Sequence, residues 1–426
     1  MSRFTPSQRW TSYEGWNYNG MKERLEGLIA KLDKKALLNH AELIKGQKFS
    51  MSEPFSAGQY WICFELVAED DSLVIARVRL PRHPDIPQTV SEEDEEYSIA
   101  CEVSAMRFVR QRLSNVVVPQ VFAYEGTGSQ LAANAGAIYM LIEGFRGNTL
   151  QDVVPDLCNL PISKLEHVLA QWTTMQTCLA AFTYPQIGSI SGITITGEPI
   201  IDRLSSAAIE GLMSQGPFSN AIEYFTALGE AALYRASRAG KGRSEFHRLG
   251  ASVFLDIVQS TTFFQESSAQ YPLNHMDLGT QNIIVDEDLN FLAIIDWEFA
   301  QTAPWQINHY PMPFPLLWPD ERIKMILDDP QHLAYKQISR QARTRELYCK
   351  KFREAEAKLA EKGVRLGNEF AEVLESPASR IYACFSKLGD APEQDEAMVR
   401  EMVRLAFNFA VEGANQYLEQ MSNKMI

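Results

Sequence analysis

The apolar residues of this chain change their period close to Gly144, and that change narrows the folds open to it more than any other feature. Between Tyr60 and Gly144 they come in short runs of β type, and beyond Leu150 they recur mostly at helical spacing. YWICFELVAED and DSLVIARVRL, joined at the acidic turn Glu69-Asp70-Asp71, read as a hairpin. An acidic patch, SEEDEEY, leads into the amphipathic helix YSIACEVSAMRFVRQRL, and VVVPQVFAYE and GAIYMLIEGF read as two more strands. Ahead of this β-β-α-β-β order, the spacing in MKERLEGLIAKLDKKALLNHAELI predicts helix over residues 20 to 45. Beyond it the chain is helical, apart from a hairpin at ISGITITGEPII and the stretch Asn274 to Ala300. The expected fold class is α+β, in two lobes with a cleft between them. The expected division is 1–45 as an N-terminal helical extension, 46–144 as the sheet lobe and 145–426 as the helical lobe.

Composition limits the partners. The 426 residues are 46% hydrophobic and 22% charged, which is globular composition. A formal charge of −14 disfavours nucleic acid and anionic membranes as partners. It suits a cationic small molecule, although solubility alone accounts for it equally. The six cysteines are scattered, with no CxxC pair, and read as reduced thiols. The first residues carry no apolar core of signal-peptide length, and no run of 18 apolar residues occurs, so a soluble, cytoplasmic protein is expected.

The chemistry concentrates in NHMDLGTQNIIVDEDLNFLAIIDWEFA, Asn274 to Ala300. NIIV and FLAII are short β runs separated by the turn DEDLN, so they form a hairpin whose outer ends meet. Asn282 enters the first strand and Asp296 leaves the second, with Asp277 just beyond. Two carboxylates and an amide oxygen, without sulfur, form a hard donor set of the kind Mg²⁺ takes alongside phosphate oxygens and water. Asp277 would then remain to orient a hydroxyl and accept its proton, a division of labour that suits phosphoryl transfer. The plainer alternative is that these residues make Asx turns and a cap.

His275-Met276-Asp277-Leu278-Gly279-Thr280-Gln281-Asn282, followed by Ile295-Asp296-Trp297-Glu298, resembles the catalytic and metal motifs of the aminoglycoside phosphotransferase and choline kinase-like enzymes. The resemblance implies a two-lobed protein-kinase-like fold, with a small antiparallel-sheet N-lobe and a larger, mainly helical C-lobe. It implies ATP and Mg²⁺ as cofactors, Asp277 as the catalytic acid, and Asn282 and Asp296 as metal ligands. It further implies a phosphate-gripping cation on the second strand of the first hairpin, at Arg77 or its rival Arg79, held by Glu102 of the following helix. Gly58 stands for the loop that covers the phosphates, and the backbone of Ile142, Glu143 and Gly144 for the hinge that holds the base. The departures are Met276, where glycine is commonest, and a loop with one glycine instead of several.

No activation segment or APE anchor follows Asp296, so a small-molecule acceptor is expected: an amino alcohol, an aminoglycoside-like compound or another natural product. Glu298 with Trp305, Tyr310, Phe314 and Trp318 could flank a cationic acceptor, or the aromatics could pack the helical lobe. His275 reads as loop support. A catalytically silent nucleotide-binding or scaffold protein is the alternative from another class. ATP and GTP, and the oligomeric state, are not distinguished.

Overall fold

In a computed structural model the described residues are 6, 20–84, 86–87, 89–113, 116–238, 245–265, 270–311, 314, 318 and 320–425. The N-terminal stretch on which the absence of a leader was expected lies outside them, apart from residue 6. The chain is an α+β protein that divides into two compact units. The first comprises Met1–Pro155, Ile190–Ile200 and Asp277–Phe299, and the second Asp156–Ser189, Ile201–Met276 and Ala300–Ile426. The motif hairpin therefore belongs with the sheet-rich unit.

That unit is built on a six-stranded antiparallel sheet of β1 (Phe49–Met51), β2 (Ser56–Ala57), β3 (Trp61–Ala68), β4 (Leu73–Arg79), β5 (Val121–Glu125) and β6 (Tyr139–Glu143). The order is β1-β3-β4-β6-β5, with β2 also paired to β3, so β4 is central. Asp71, in the left-handed region at φ 64°, and an Asp70 carboxylate accepting from the Ser72 N–H at 3.0 Å close the β3–β4 turn. Along β4, Val74, Ala76 and Val78 are buried while Ile75, Arg77 and Arg79 are only partly so, the alternation a half-apolar strand requires.

The expected helix over 20–45 is two helices, α1 (Met21–Ile29) and α2 (Lys34–Lys45). Asp33 causes the break: its carboxylate accepts from the Lys35 and Ala36 N–H groups at 2.9 and 3.1 Å and starts α2 afresh. Met21, Leu25 and Leu28 of α1 and Leu37 and Ala41 of α2 form one core with Phe64, Leu66 and Ala76 of the sheet. Helix α3 (Glu92–Arg112) takes the acidic patch as its first turn, because Ser91 and Asp94 form a reciprocal cap and acids suit a helix N-terminus. A short helix, Gln130–Ala135, also intervenes between β5 and β6, capped by Ser129 and ended by Gly136 at φ +80°.

A second, three-stranded sheet carries the motif: β7 (Asn148–Thr149), β8 (Ile283–Val285) and β9 (Phe291–Ile294), in the order β9-β8-β7. Gly147 permits it, since a Cβ there would lie 2.4 Å from the Val285 carbonyl oxygen.

The second unit is mainly helical. The strand Tyr271–Asn274 pairs with Thr183–Tyr184 and Gln301–Thr302 beside the helices. The core holds Phe225, Phe254, Phe264 and Phe385, with the rings of Phe254 and Phe385 stacked at 3.8 Å. Among the described residues no helix is long and apolar enough to cross a membrane.

One polar network ties the helices together. The fully buried Glu401 side chain meets Arg380 Nη2 at 3.1 Å and Arg404 Nε at 2.8 Å, and both arginines also reach Asp320. Removing the carboxylate would leave two partly desolvated guanidinium groups with only the exposed Asp320 between them. Glu401→Ala is expected to lower the free energy of unfolding by about 3–5 kcal/mol in urea titrations. A loss below about 1 kcal/mol would show that solvent already screens the pair.

Candidate active site

The site grows from the central strand of the larger sheet. Arg77 pairs in register with Cys63 of β3 and Met140 of β6, and its side chain leaves the partly buried face of β4. Its Nη1 donates to Glu102 Oε1 of α3 at 2.5 Å, and its Nη2 lies 3.6 Å from Asp296 Oδ1. Glu102 is 1% exposed, and its other oxygen, Oε2, is buried without a hydrogen-bond partner among the described residues. The Arg77 guanidinium also sits 4.9 Å from the Trp61 ring centroid. Arg79, two residues on, turns to Glu95 at 3.2 Å and to the Tyr60 ring.

The motif hairpin supplies the acids. Ile283 pairs with Ile294, and the Ile295 N–H donates to the Asn282 carbonyl at 3.0 Å, so the open end brings Asn282 beside the residue preceding Asp296. Asn282 Nδ2 donates to the Asp277 carbonyl at 2.8 Å and to Asp277 Oδ2 at 2.9 Å. Gln281 Nε2 reaches Asp277 Oδ1 at 3.2 Å. Asp277 is thus oriented by two amides from its own loop. Asp296 has φ +66°, a conformation asparagine and aspartate tolerate better than other side chains. Met276 has φ +67°, which explains why glycine would be favoured there.

Charge at the site is out of balance. Burial pushes the Asp296 carboxyl up to about 6, Glu102 and Asp277 add to the rise, and Arg77 opposes it. Burial, then Asp296 and Glu102, hold the Glu298 carboxyl well above the usual carboxylate range. These carboxylates therefore crowd one cationic side chain, a surplus of negative potential that a divalent ion would relieve. Among the described residues no group of three or more His, Cys, Asp and Glu side chains is set to hold a metal. The donor set here is Asp296 with the Asn282 amide, and that suits an ion completing its shell with phosphate and water.

Gly58, Arg77, Ile142, Glu143, Gly144, Asp277, Asp296 and Glu298 line one cavity of about 400 Å³, within the size range of ligand sites. Glu102 and Asn282 stand behind it, bonded to Arg77 and Asp277. Three backbone donors expected to face a nucleotide are engaged elsewhere. The N–H of Gly58 closes its turn onto the Trp61 carbonyl, that of Glu143 donates to Gln120, and that of Gly144 donates to Leu73. The sheet itself claims the last two amides, and the Phe145 N–H just beyond donates to no described residue.

The aromatic candidates lie in the other unit. Trp305 is buried against Phe370, and Tyr310 is bonded to Cys349 and Glu375 with Arg345 over its ring. Phe314 is buried beside Trp172 and Tyr348, Trp318 lies near Arg322, and His275 is buried. Trp61 and Cys63 line the cavity although the motifs did not point to them. Counting outward from Asp70 along the hairpin would have found Cys63, which lies opposite Arg77.

No family model and no curated protein matches the chain. Among solved structures it is similar to a provisional fructosamine-3-kinase from Thermobifida fusca, at 11% identity and a TM-score of 0.45 over 88% of this chain and 100% of that one. It is also similar to a type I macrolide 2′-phosphotransferase, at 12% identity and a TM-score of 0.40 over 88% of this chain and 98% of that one. An amicoumacin kinase in complex with AMP-PNP and Ca²⁺ aligns at 12% identity and a TM-score of 0.39, over 94% of this chain and 95% of that one. At such distances function must be argued from the residues themselves.

A carboxyl held above its ordinary value of 3.8 binds its proton more tightly in the folded chain than in the unfolded one. Its charge therefore costs stability as pH rises from about 4 through about 6, and the full penalty stands above that. Asn keeps the shape and tolerates the positive φ without the charge. Asp296→Asn is expected to raise the Tm of the ligand-free protein by a few degrees at pH 7.5 and by little at pH 4.5. A loss of Tm, or a gain independent of pH, would contradict this electrostatic picture.

Proposed function

We propose that this chain is a phosphotransferase of the aminoglycoside phosphotransferase and choline kinase-like type. It would move the γ-phosphate of a nucleoside triphosphate, expected to be ATP, to a hydroxyl of a small molecule. The observation that carries the reading is the meeting, in one cavity, of the Glu102-held Arg77, Asp296 at 3.6 Å from it, and Asp277. These groups come from a strand, a helix and a hairpin far apart in sequence, and each has a use in phosphoryl transfer.

Arg77 grips the non-transferred phosphates, and Glu102 fixes its guanidinium so that little freedom is lost when they arrive. Asn282 and Asp296 would hold Mg²⁺, which supplies neutralisation of phosphate charge when bound. The base lies toward Ile142–Gly144, where the Phe145 N–H is placed to meet it. Asp277, aimed by Asn282 and Gln281, orients the acceptor hydroxyl and takes its proton. The acceptor oxygen bonds to the γ-phosphorus as the bond to the β–γ bridging oxygen breaks, and the nucleoside diphosphate leaves.

The acceptor is a small molecule because the sequence after Asp296 has no activation segment. Glu298, on the cavity wall, is a reluctant acid whose ionised form an acceptor amine would stabilise. Trp305 and Tyr310 keep a packing role in this reading. A silent scaffold would gain nothing from crowded acids that destabilise its fold.

Release of nucleoside diphosphate over a panel of alcohols and amino alcohols tests the proposal. Asp277→Asn is expected to keep nucleotide affinity within about twofold while turnover falls by about 10²–10⁴-fold. Full turnover in that variant would remove Asp277 from the chemistry.

A further inference from the structure

The loop over the cavity is the short turn between β2 and β3. Strand β2 has two residues, and the turn after it holds a single glycine, Gly58, whose N–H donates to the Trp61 carbonyl at 2.8 Å. Yet Gly58, Gln59, Tyr60 and Trp61 all line the cavity. A loop that must meet phosphates at hydrogen-bonding distance cannot drift by even an ångström without losing affinity.

An anchor comes from α1. Arg24, 8% exposed, sends Nη2 to the Gln59 carbonyl at 2.8 Å and both Nε and Nη2 to the Pro81 carbonyl at 3.0 and 2.5 Å. The guanidinium thus bridges the tip of the loop to the chain just past β4, the strand that carries Arg77. The Leu80 N–H donates to the Tyr60 carbonyl at 2.8 Å and ties the same two segments from the other side. Met21, Leu25 and Leu28 fix α1 itself in the core of the sheet, so the anchor is rigid. A buried arginine would be costly if its only task were to seat a helix that its apolar neighbours already seat.

We infer that Arg24 is a positioning residue for nucleotide binding: it acts through the Gln59 carbonyl to hold the loop Ala57–Trp61 at its working distance from Arg77. Helix α1 is then a working part of the nucleotide site. This inference rests on the function proposed above, since it takes the cavity to bind a nucleotide.

The test measures affinity for a fluorescent ATP analogue with Mg²⁺, turnover at saturating nucleotide, and hydrogen exchange of the amides, in wild type, Arg24→Met and Arg24→Lys. Arg24→Met is expected to weaken nucleotide binding about tenfold while turnover at saturation stays within about twofold. Arg24→Lys, which keeps the charge but not the two-carbonyl bridge, should weaken it about threefold. In both variants exchange should quicken at residues 57–61 and stay unchanged at residues 73–79. Wild-type affinity and unchanged exchange in Arg24→Met would overturn the inference, as would a fall in turnover with affinity preserved. If Arg24→Met does not fold, the same readouts on Arg24→Lys decide. If wild type binds no nucleotide, the proposed function fails, and unaltered exchange at 57–61 would then sink the anchor as well.

Discussion

The ion pair of Arg77 with Glu102 is the constraint from which the site follows. A guanidinium on the central strand of an apolar sheet has to be neutralised where it stands, and the helix after the sheet's hairpin brings a nearly inaccessible carboxylate to it. That pairing fixes the rotation of α3 about its axis and the side of β4 that faces the cavity. With Arg77 fixed, Asp296 has a counter-charge at 3.6 Å, and the hairpin that carries it is held between β7 and that charge. One electrostatic requirement thus aligns three pieces of the chain that share no local sequence pattern.

The same arrangement is poor for stability. Burial raises the Asp296 carboxyl more than Arg77 lowers it, Glu298 adds a second reluctant acid, and Glu102 leaves one oxygen without a partner among the described residues. Asp296 and Met276 both occupy the left-handed region, where side chains other than asparagine and aspartate lose about 1–2 kcal/mol. Local strain and unbalanced charge in one place are what a site prepared for a ligand carries before the ligand arrives. Away from the site Ser91 caps its helix with Asp94, Glu401 meets two arginines, and Trp172 and Phe314 each pack face to edge with Tyr348.

Much of this was legible in the sequence, for physical reasons that can be named. The period-two pattern of VIARVR marked the face of β4 from which Arg77 projects. The hairpin spacing predicted that Asn282 and Asp296 would converge, and the structure bonds Asn282 to Ile295, the residue before Asp296. The sequence left Arg77 and Arg79 as rivals, because strand alternation puts both on one face and only tertiary partners separate them. Helix propensity could not reveal the break at Asp33 or the short helix at Gln130, since each depends on one capping side chain. Nor could it show that the Glu143 and Gly144 amides are consumed by Gln120 and Leu73, a matter of register with the two neighbouring strands. Trp305 and Tyr310 follow the motif in sequence but are buried in the aromatic packing of the second unit.

On the proposed function, the crowded acids are kept because a metal-bound nucleotide relieves them. Calorimetric titration of the wild-type chain with a non-hydrolysable ATP analogue, with Mg²⁺ and with chelator, tests that claim most directly. The account predicts saturable binding with Mg²⁺ and binding weakened by tenfold or more without it. Equal affinity under the two conditions, or no binding in either, would contradict it.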